Sequence, residues 1–373
     1  METVVEEGEN MVCEKDEYQY WMAGLIGLSA ADKIKLVAEK SPRELYEMSD
    51  GELFSLCEFC GVDASLIQTA RQSSITPETI MKNVEKQGIR LVTVLDKDYP
   101  RKLRNINQSP FALYYKGQLP QDEVAVAIVG SRKCSEYGRT IADQLGQSLA
   151  ACGVGVISGM AYGIDCASHA GALKGQGKTY AVLGCGVDLC YPPEARNIYE
   201  NIMHAGGVLS EYPPGTNPLP VFFPARNRII SGLSDIVIVI EAQLKSGSLI
   251  TADFAMEQGR DVYALPGRIT DSNSQGTNRL IYQGAGILDD VKQFLLDMNL
   301  TKGKSRGDRK ENKLALEKEE ALLYSVLDFE PKYLDTIIEE TGLSVSQVLT
   351  LVDSLKRKKY IRESYKNYFL KSV

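Results

Sequence analysis

The chain has 373 residues, 44% apolar and 24% charged, with a formal net charge of −7. That is the composition of a globular protein of two or three domains, and no apolar run reaches the ~18 residues of a membrane-spanning helix. The acidic total argues against a polyanion partner only for the chain as a whole, because local charge decides phosphate binding.

Residues 1–17 form an acidic tail carrying Glu2, Glu6, Glu7, Glu9, Glu14, Asp16 and Glu17. Over 18–80 apolar residues recur at helical spacing, as in Ile34, Leu36, Val37 and Leu53, Phe54, Leu56. Ser41-Pro42 and Ser49-Asp50 have the form of helix starts. The stretch predicts a small helical domain of the SAM or helix-hairpin-helix kind. Such bundles touch nucleic-acid backbone or other proteins, and a purely structural accessory role is an equal reading. Cys57 and Cys60 have C-x-x-C spacing but no second pair and no nearby His, so buried packing is favoured over a metal site. Eight cysteines without a signal peptide suggest a cytoplasmic protein with reduced thiols.

Near Ile89 the period changes. Strand-like runs at 89–96 and 112–117 precede a strict alternation of strand and helix within 85–298. The strands are 124–130, 154–158, 179–184, 207–210, 235–242 and 261–267. The helices are 137–152, 164–173, 194–204, 226–232, 247–258 and 277–284. Val/Ile-rich strands in alternation with helices predict an α/β fold, an extended Rossmann-like domain with a parallel sheet. Residues 299–313 form a linker; its stretch 301–313 has six Lys/Arg against two Asp/Glu and no apolar residue. In 314–373, helical patterns at 314–328, 333–340 and 344–358 lead to a terminal hairpin with Lys366-Asn367 at its turn. This predicts a winged-helix-like domain.

Open parallel sheets bind ligands at the carboxyl ends of their strands. Here those ends carry Gly130-Ser131-Arg132-Lys133, Ser158-Gly159, and Ser246-Gly247-Ser248 followed by Thr251. Small residues admit close backbone approach, helix N-termini favour anions, and Arg gives charge-assisted bonds to phosphate. Arg226, Asn227 and Arg228 at the entrance to the strand 235–242 complete a proposed set of anion clamps. Salt bridges from these arginines to Glu211, Asp235 or Glu241 are the competing reading. The dinucleotide fingerprint, Walker A, a nucleophile elbow and a zinc motif are all missing from the sequence. His169 and His204 lie in helical stretches and suit structural roles. Asp165, Asp188 and Glu211 near strand ends suit loop stabilisation better than acid–base work.

The segments at 96–117, GSR (130–132), SGMAYGID (158–165), VLGCGVDLCYPPEARN (182–197), SEYPPG (210–215), FPARNRIISGLSD (223–235), EAQLKSGSLITADFAMEQGRDVYALPG (241–267) and GTNRLIYQGA (276–285) together resemble the DNA-processing protein A family, also called Smf. The resemblance implies a cytoplasmic, non-catalytic binder of single-stranded DNA. Such a protein protects incoming strands during natural transformation and loads the RecA recombinase on them, working as a homodimer. It implies phosphate binding at Arg132 and, by extension, at Arg226, Arg228 and the SGSLIT turn. It places a dimer or RecA surface near Leu280, Ile281 and Ile287. Where many relatives carry Arg, this chain has Tyr162 and Ala170; Tyr162 offers base stacking instead, and Arg196 or Lys133 offers a replacement cation. No cofactor or metal is expected. A second basic surface, Lys356, Arg357, Lys358, Lys359, Arg362 and Lys366, points to duplex DNA or to protein docking. The rival for the whole protein is a nucleotide-processing hydrolase like the phosphoribohydrolases, whose PGGxGTxxE motif this chain lacks.

Overall fold

The computed structural model describes residues 16–300, 318–328, 330–358 and 360–371. The acidic stretch 1–15, most of the predicted linker and Lys359 lie outside the described residues. The fold has two compact units.

The first unit holds the described residues up to Lys116 with the loops Cys185–Leu189 and Ser210–Asn217. Six short helices come first: α1 (Glu17–Gly24), α2 (Ala30–Glu39), α3 (Pro42–Glu47), α4 (Asp50–Cys60), α5 (Ala64–Arg71) and α6 (Pro77–Glu85). Ser41 and Ser49 close capping boxes with Glu44 and Glu52, so each satisfies orphan amides at both ends of the first turn. Strand β1 (Arg90–Thr93), helix α7 (Arg101–Arg104) and strand β2 (Ala112–Gly117) follow, with β1 and β2 antiparallel. Trp21, Leu36, Leu45, Leu53 and Ile67 pack with Leu91 and Tyr114 into one core, which Cys57 also enters. Lys33 is buried, and its Nζ donates to the Ala23 carbonyl (2.9 Å) near the end of α1. Burial holds this ammonium down at about 8.

The second unit begins with β3 (Ala125–Val129), α8 (Glu136–Ala151), β4 (Gly155–Ser158), α9 (Ile164–Lys174) and β5 (Thr179–Val182). A 3-10 turn (Pro193–Ala195), α10 (Arg196–Ala205), β6 (Gly207–Ser210), α11 (Phe222–Leu233), β7 (Ile236–Val239), α12 (Gly247–Glu257) and β8 (Asp261–Ala264) come next. A second 3-10 turn (Ser272–Ser274), α13 (Gln275–Tyr282), β9 (Gly286–Ile287) and α14 (Val291–Asp297) complete the sheet layer. Seven strands run in the order β6-β5-β4-β3-β7-β8-β9, every pair parallel. All residues of β3 and β7 are buried, as expected for parallel strands covered on both faces. The strand order reverses between β3 and β7. Loops leaving these neighbours diverge, and the gap between them is the usual ligand crevice of doubly wound sheets.

The unit ends with α15 (Lys318–Val326), β10 (Lys332–Tyr333), α16 (Leu334–Thr341), α17 (Val345–Arg357), β11 (Ile361–Tyr365) and β12 (Tyr368–Lys371). Leu323, Ile337, Val348, Leu355 and Phe369 form its separate core. Asn367 takes φ +65° at the hairpin turn, a conformation Asn tolerates. Arg362 Nη2 donates to Thr140 Oγ1 (2.6 Å) on α8 and lies 3.3 Å from Glu136 Oε2. Arg268 bridges to Asp328 (3.3 Å) and Glu330 (2.8 Å). The predicted basic surface is therefore largely neutralised: Lys356 pairs with Glu363, Arg357 with Asp353 and Lys358 with Glu320. Lys366 is exposed.

Candidate functional site

A crevice of about 570 Å³ opens at the switch point between β3 and β7. One wall is the loop after β3, Gly130 to Lys133; the other is the loop after β7, Gln243 to Ser248, with Thr251 one turn into α12. Tyr191, Phe223 and three prolines, 218, 220 and 224, close the mouth, and Asp165, Arg226 and Asn227 line the interior.

Three cations are exposed at this crevice: Arg132, Lys133 and Lys245. Arg132 makes no ion pair among the described residues, and its guanidinium lies 5.2 Å above the Phe223 ring. On the opposite wall Ser246 caps α12, accepting from the Ser248 amide (3.3 Å), and its hydroxyl meets that of Ser248 (2.8 Å). The start of an 11-residue helix adds partial positive charge to the same wall. Asn227 Nδ2 donates to the Gly247 carbonyl (3.1 Å), which fixes α12 against α11.

The loops are held from below. Buried Glu241 accepts from the Ser135 amide (2.9 Å), the Ser135 hydroxyl and Asn273 Nδ2 (3.3 Å). Asn273 Nδ2 also donates to the Lys133 carbonyl (2.9 Å). Gly163 sits at φ +78°, where an added Cβ would lie 2.3 Å from the Ser131 carbonyl oxygen, so the two loops meet only because this residue is glycine. Asp165 Oδ2 accepts from the amides of Gly159 (3.1 Å) and Ala161 (3.3 Å), either side of Met160, whose φ of +60° is a strained value. Burial pushes the Asp165 carboxyl up to about 6, against the opposing pull of Arg226 and these amides.

The sequence reading put Arg226 and Arg228 at the rim, and the structure places both inside, 3% and 5% exposed. Arg226 Nη1 donates to the carbonyls of Gly159 (2.8 Å) and Val182, at the ends of β4 and β5. Arg228 Nη1 donates to the Ala225 carbonyl (2.7 Å) and does not line the crevice. Helix α11 starts four residues earlier than expected and carries these side chains inward. Ser158 is also buried, its hydroxyl donating to the Ile128 carbonyl (2.6 Å). Gly159 packs directly on the Arg226 guanidinium. Arg196 pairs with Glu200 (2.9 Å) outside the crevice, and Tyr162 stands just beyond Ala161 at its edge. The crevice thus gathers Gly130, Ser131, Arg132, Lys133, Arg226, Asn227, Ser246, Gly247, Ser248 and Thr251, and leaves out Ser158, Gly159, Tyr162, Arg196 and Arg228. Lys245, Tyr191 and Phe223 were not singled out beforehand. The signal for Lys245 was its place directly before Ser246-Gly247-Ser248 at a strand end.

Of the dimer candidates, Leu280 is 4% exposed and packs inward, a correction to its expected place on a docking surface. Ile281 is half-buried, while Ile287 on the edge strand β9 and neighbouring Tyr282 are exposed.

His169 is fully buried on α9. Its Nδ1 meets Thr179 Oγ1 (2.7 Å), and that hydroxyl donates to the Val156 carbonyl (3.0 Å), so Nδ1 carries the proton. Burial, reinforced by the Arg226 charge, holds the imidazole down at about 3. The unfolded chain takes up a proton near 6.5 and the folded chain refuses it, so this group's stability is present above pH 6.5 and is lost as pH falls toward 3. Asp165, whose folded value is raised, acts in the opposite sense over the acid range. Comparison with His169→Gln isolates the histidine: from pH 7 to pH 5 the wild type is expected to lose about 2 kcal/mol relative to the variant, read from urea midpoints.

Residues 90–299 match the family described as DNA recombination-mediator protein A. Among curated relatives, the DNA processing protein DprA of Streptococcus pneumoniae is 46% identical over 214 residues, covering 57% of this chain and 76% of its own length. Protein Smf of Synechocystis is 40% identical over 233 residues, covering 61% of this chain and 58% of its own length. The X-ray structure of DNA processing protein A from S. pneumoniae aligns with TM-score 0.67 at 36% identity, covering 76% of this chain and 98% of that one. A structure of DNA processing protein A from Helicobacter pylori, described for its single-stranded DNA binding mode, aligns with TM-score 0.51 at 30% identity, over 57% of this chain and 97% of that one.

Proposed function

This chain belongs to the DNA recombination-mediator protein A family, and from that premise we propose that its switch-point crevice binds the phosphates of single-stranded DNA. One observation carries the reading: three exposed cations, three serines and a helix N-terminus converge on one open crevice. Such a set grips phosphate without reading base sequence. A concave crevice suits a flexible single strand, which can turn its phosphates inward, better than a rigid duplex, whose phosphates lie on a convex cylinder. The single-strand binding described for the H. pylori relative supports the same reading.

The protein works as a binder and not a catalyst on this reading. Asp165 is tied to two amides beside Arg226, and neutral His169 is buried away from the crevice lining. The role that follows is protection of incoming single strands and delivery of a RecA-type recombinase in the cytoplasm. A homodimer would place two crevices on one complex and raise apparent affinity by linked engagement. The edge strand β9 with exposed Ile287, together with exposed Tyr282 at the end of α13, is the surface we assign to self-association.

The test is a gel shift with single-stranded oligo-dT and a blunt duplex of equal length over a salt series. Single strands should bind more tightly, with a log–log salt slope of roughly −2 if three phosphates are neutralised at about −0.7 each. A slope near zero, or turnover of nucleoside monophosphates without oligonucleotide affinity, overturns the reading and favours a hydrolase.

A further inference from the structure

Beside the crevice the surface changes from cationic to aromatic. Tyr191, 38% exposed, lies with its ring centroid 5.6 Å from that of Phe223, the planes inclined at 39°. Tyr162, 43% exposed, is one residue beyond Ala161 of the crevice wall. The Tyr162 hydroxyl donates to Glu194 Oε2 (2.5 Å), in the 3-10 turn three residues after Tyr191. That bond pushes the phenol up to about 12 and fixes the ring without covering it. Tyr191 is steadied by Phe223, over which the Arg132 guanidinium also lies. The aromatic set therefore starts beneath the cation expected to hold a phosphate, passes through Phe223 and Tyr191 of the crevice lining, and reaches Tyr162 by way of Glu194.

We propose that Tyr162 and Tyr191 form a stacking track for unpaired nucleobases, continuous with the phosphate crevice. The track rests on the reading that the crevice holds a DNA strand. A ring whose rotation is already restrained loses little entropy on stacking. Every base has a π-face, so the track is blind to sequence. It is not blind to strandedness: bases stacked inside a duplex have no free face to offer. The cations would set how tightly the backbone is held, and the tyrosines would set the preference for single strands.

The two contributions separate on two ligands, oligo-dT and an oligomer of equal length whose sugars lack bases, each titrated against the full chain at one salt concentration. Tyr162→Ala, outside the crevice lining, should weaken oligo-dT binding roughly 5- to 100-fold and leave the abasic oligomer within about two-fold; Tyr191→Ala, at the crevice mouth, should weaken oligo-dT by a similar factor and by more than it weakens the abasic oligomer. Tyr162→Phe, which keeps the ring but loses the Glu194 bond, should fall between. Tyr162→Trp supplies an independent readout, with fluorescence quenched by oligo-dT and not by the abasic strand. Equal weakening on both ligands, or no weakening on either, overturns the track. Failure of the phosphate reading looks different: wild-type protein would then not bind the abasic oligomer, or Arg132→Ala would not weaken it.

Discussion

Replacing Arg226 with alanine is expected to destabilise the second unit by about 3–5 kcal/mol, the usual cost of removing one partner from a buried charge pair. The side chain is 3% exposed and ties together three things. Its Nη1 donates to the carbonyls that end β4 and β5. Its charge opposes the desolvation of Asp165, whose carboxylate holds the strained turn around Met160. Its guanidinium also fills the space beside Gly159, where an added Cβ would lie 2.6 Å from Nη1. Alanine leaves two strand-end carbonyls short of a donor and a buried carboxylate short of its countercharge. Lysine keeps the charge but lacks the planar fork that spans two acceptors, so Arg226→Lys should recover only part of the loss. The measurement is the urea midpoint of each variant against wild type. A midpoint unchanged in Arg226→Ala, together with weakened DNA binding, would return this residue to the role of direct phosphate clamp.

That contrast marks the boundary of what the sequence could tell. The alternation of elements was legible because parallel strands buried on both faces must be apolar throughout, as at 125–129 and 236–239. Helix starts were legible at Ser41 and Ser49, because the capping serine and the glutamate three residues on are both local features. The turn at Lys366-Asn367 was legible for the same reason, since Asn is among the few residues at ease with positive φ. Two-residue strands such as β9 and β10 leave no periodicity to read, and neither they nor α14 were anticipated. The starting point of α11 was obscured by Pro224, which reads as a break and yet is tolerated in a first turn, where no intrahelical amide bond is lost. That shift matters most for the site. Charge and proximity to a strand end made Arg226, Arg228 and Arg132 look alike, whereas direction comes from the helix phase and from which strand ends the helix crosses. Tertiary placement also decided part of the basic run after Val345, where Glu320 of α15 and Glu363 of β11 reach Lys358 and Lys356 from other elements, while Asp353 pairs with Arg357 four residues on along the same helix.

Arg132→Ala should weaken binding of single-stranded DNA about 10- to 100-fold while leaving the unfolding midpoint unchanged. The affinity loss follows from a charge-assisted hydrogen bond of about 1.5–3 kcal/mol removed from the bound state. The unchanged midpoint follows from position: Arg132 is exposed on a loop whose geometry is set by Gly163, Ser135 and Glu241, and it pairs with no carboxylate among the described residues. The salt slope should also flatten by about 0.7, one phosphate's share on a single strand. Arg132→Lys preserves the slope, because the charge remains, but loses part of the affinity along with the fork. Lys245→Ala on the opposite wall should lower the slope by a similar amount. If the two residues hold different phosphates, the double variant loses the sum of the two effects; if they share one phosphate, it loses less than the sum, because either single change already disturbs the other's contact. Equal affinity and equal slope in a folded Arg132→Ala protein would show that the strand does not pass between these walls.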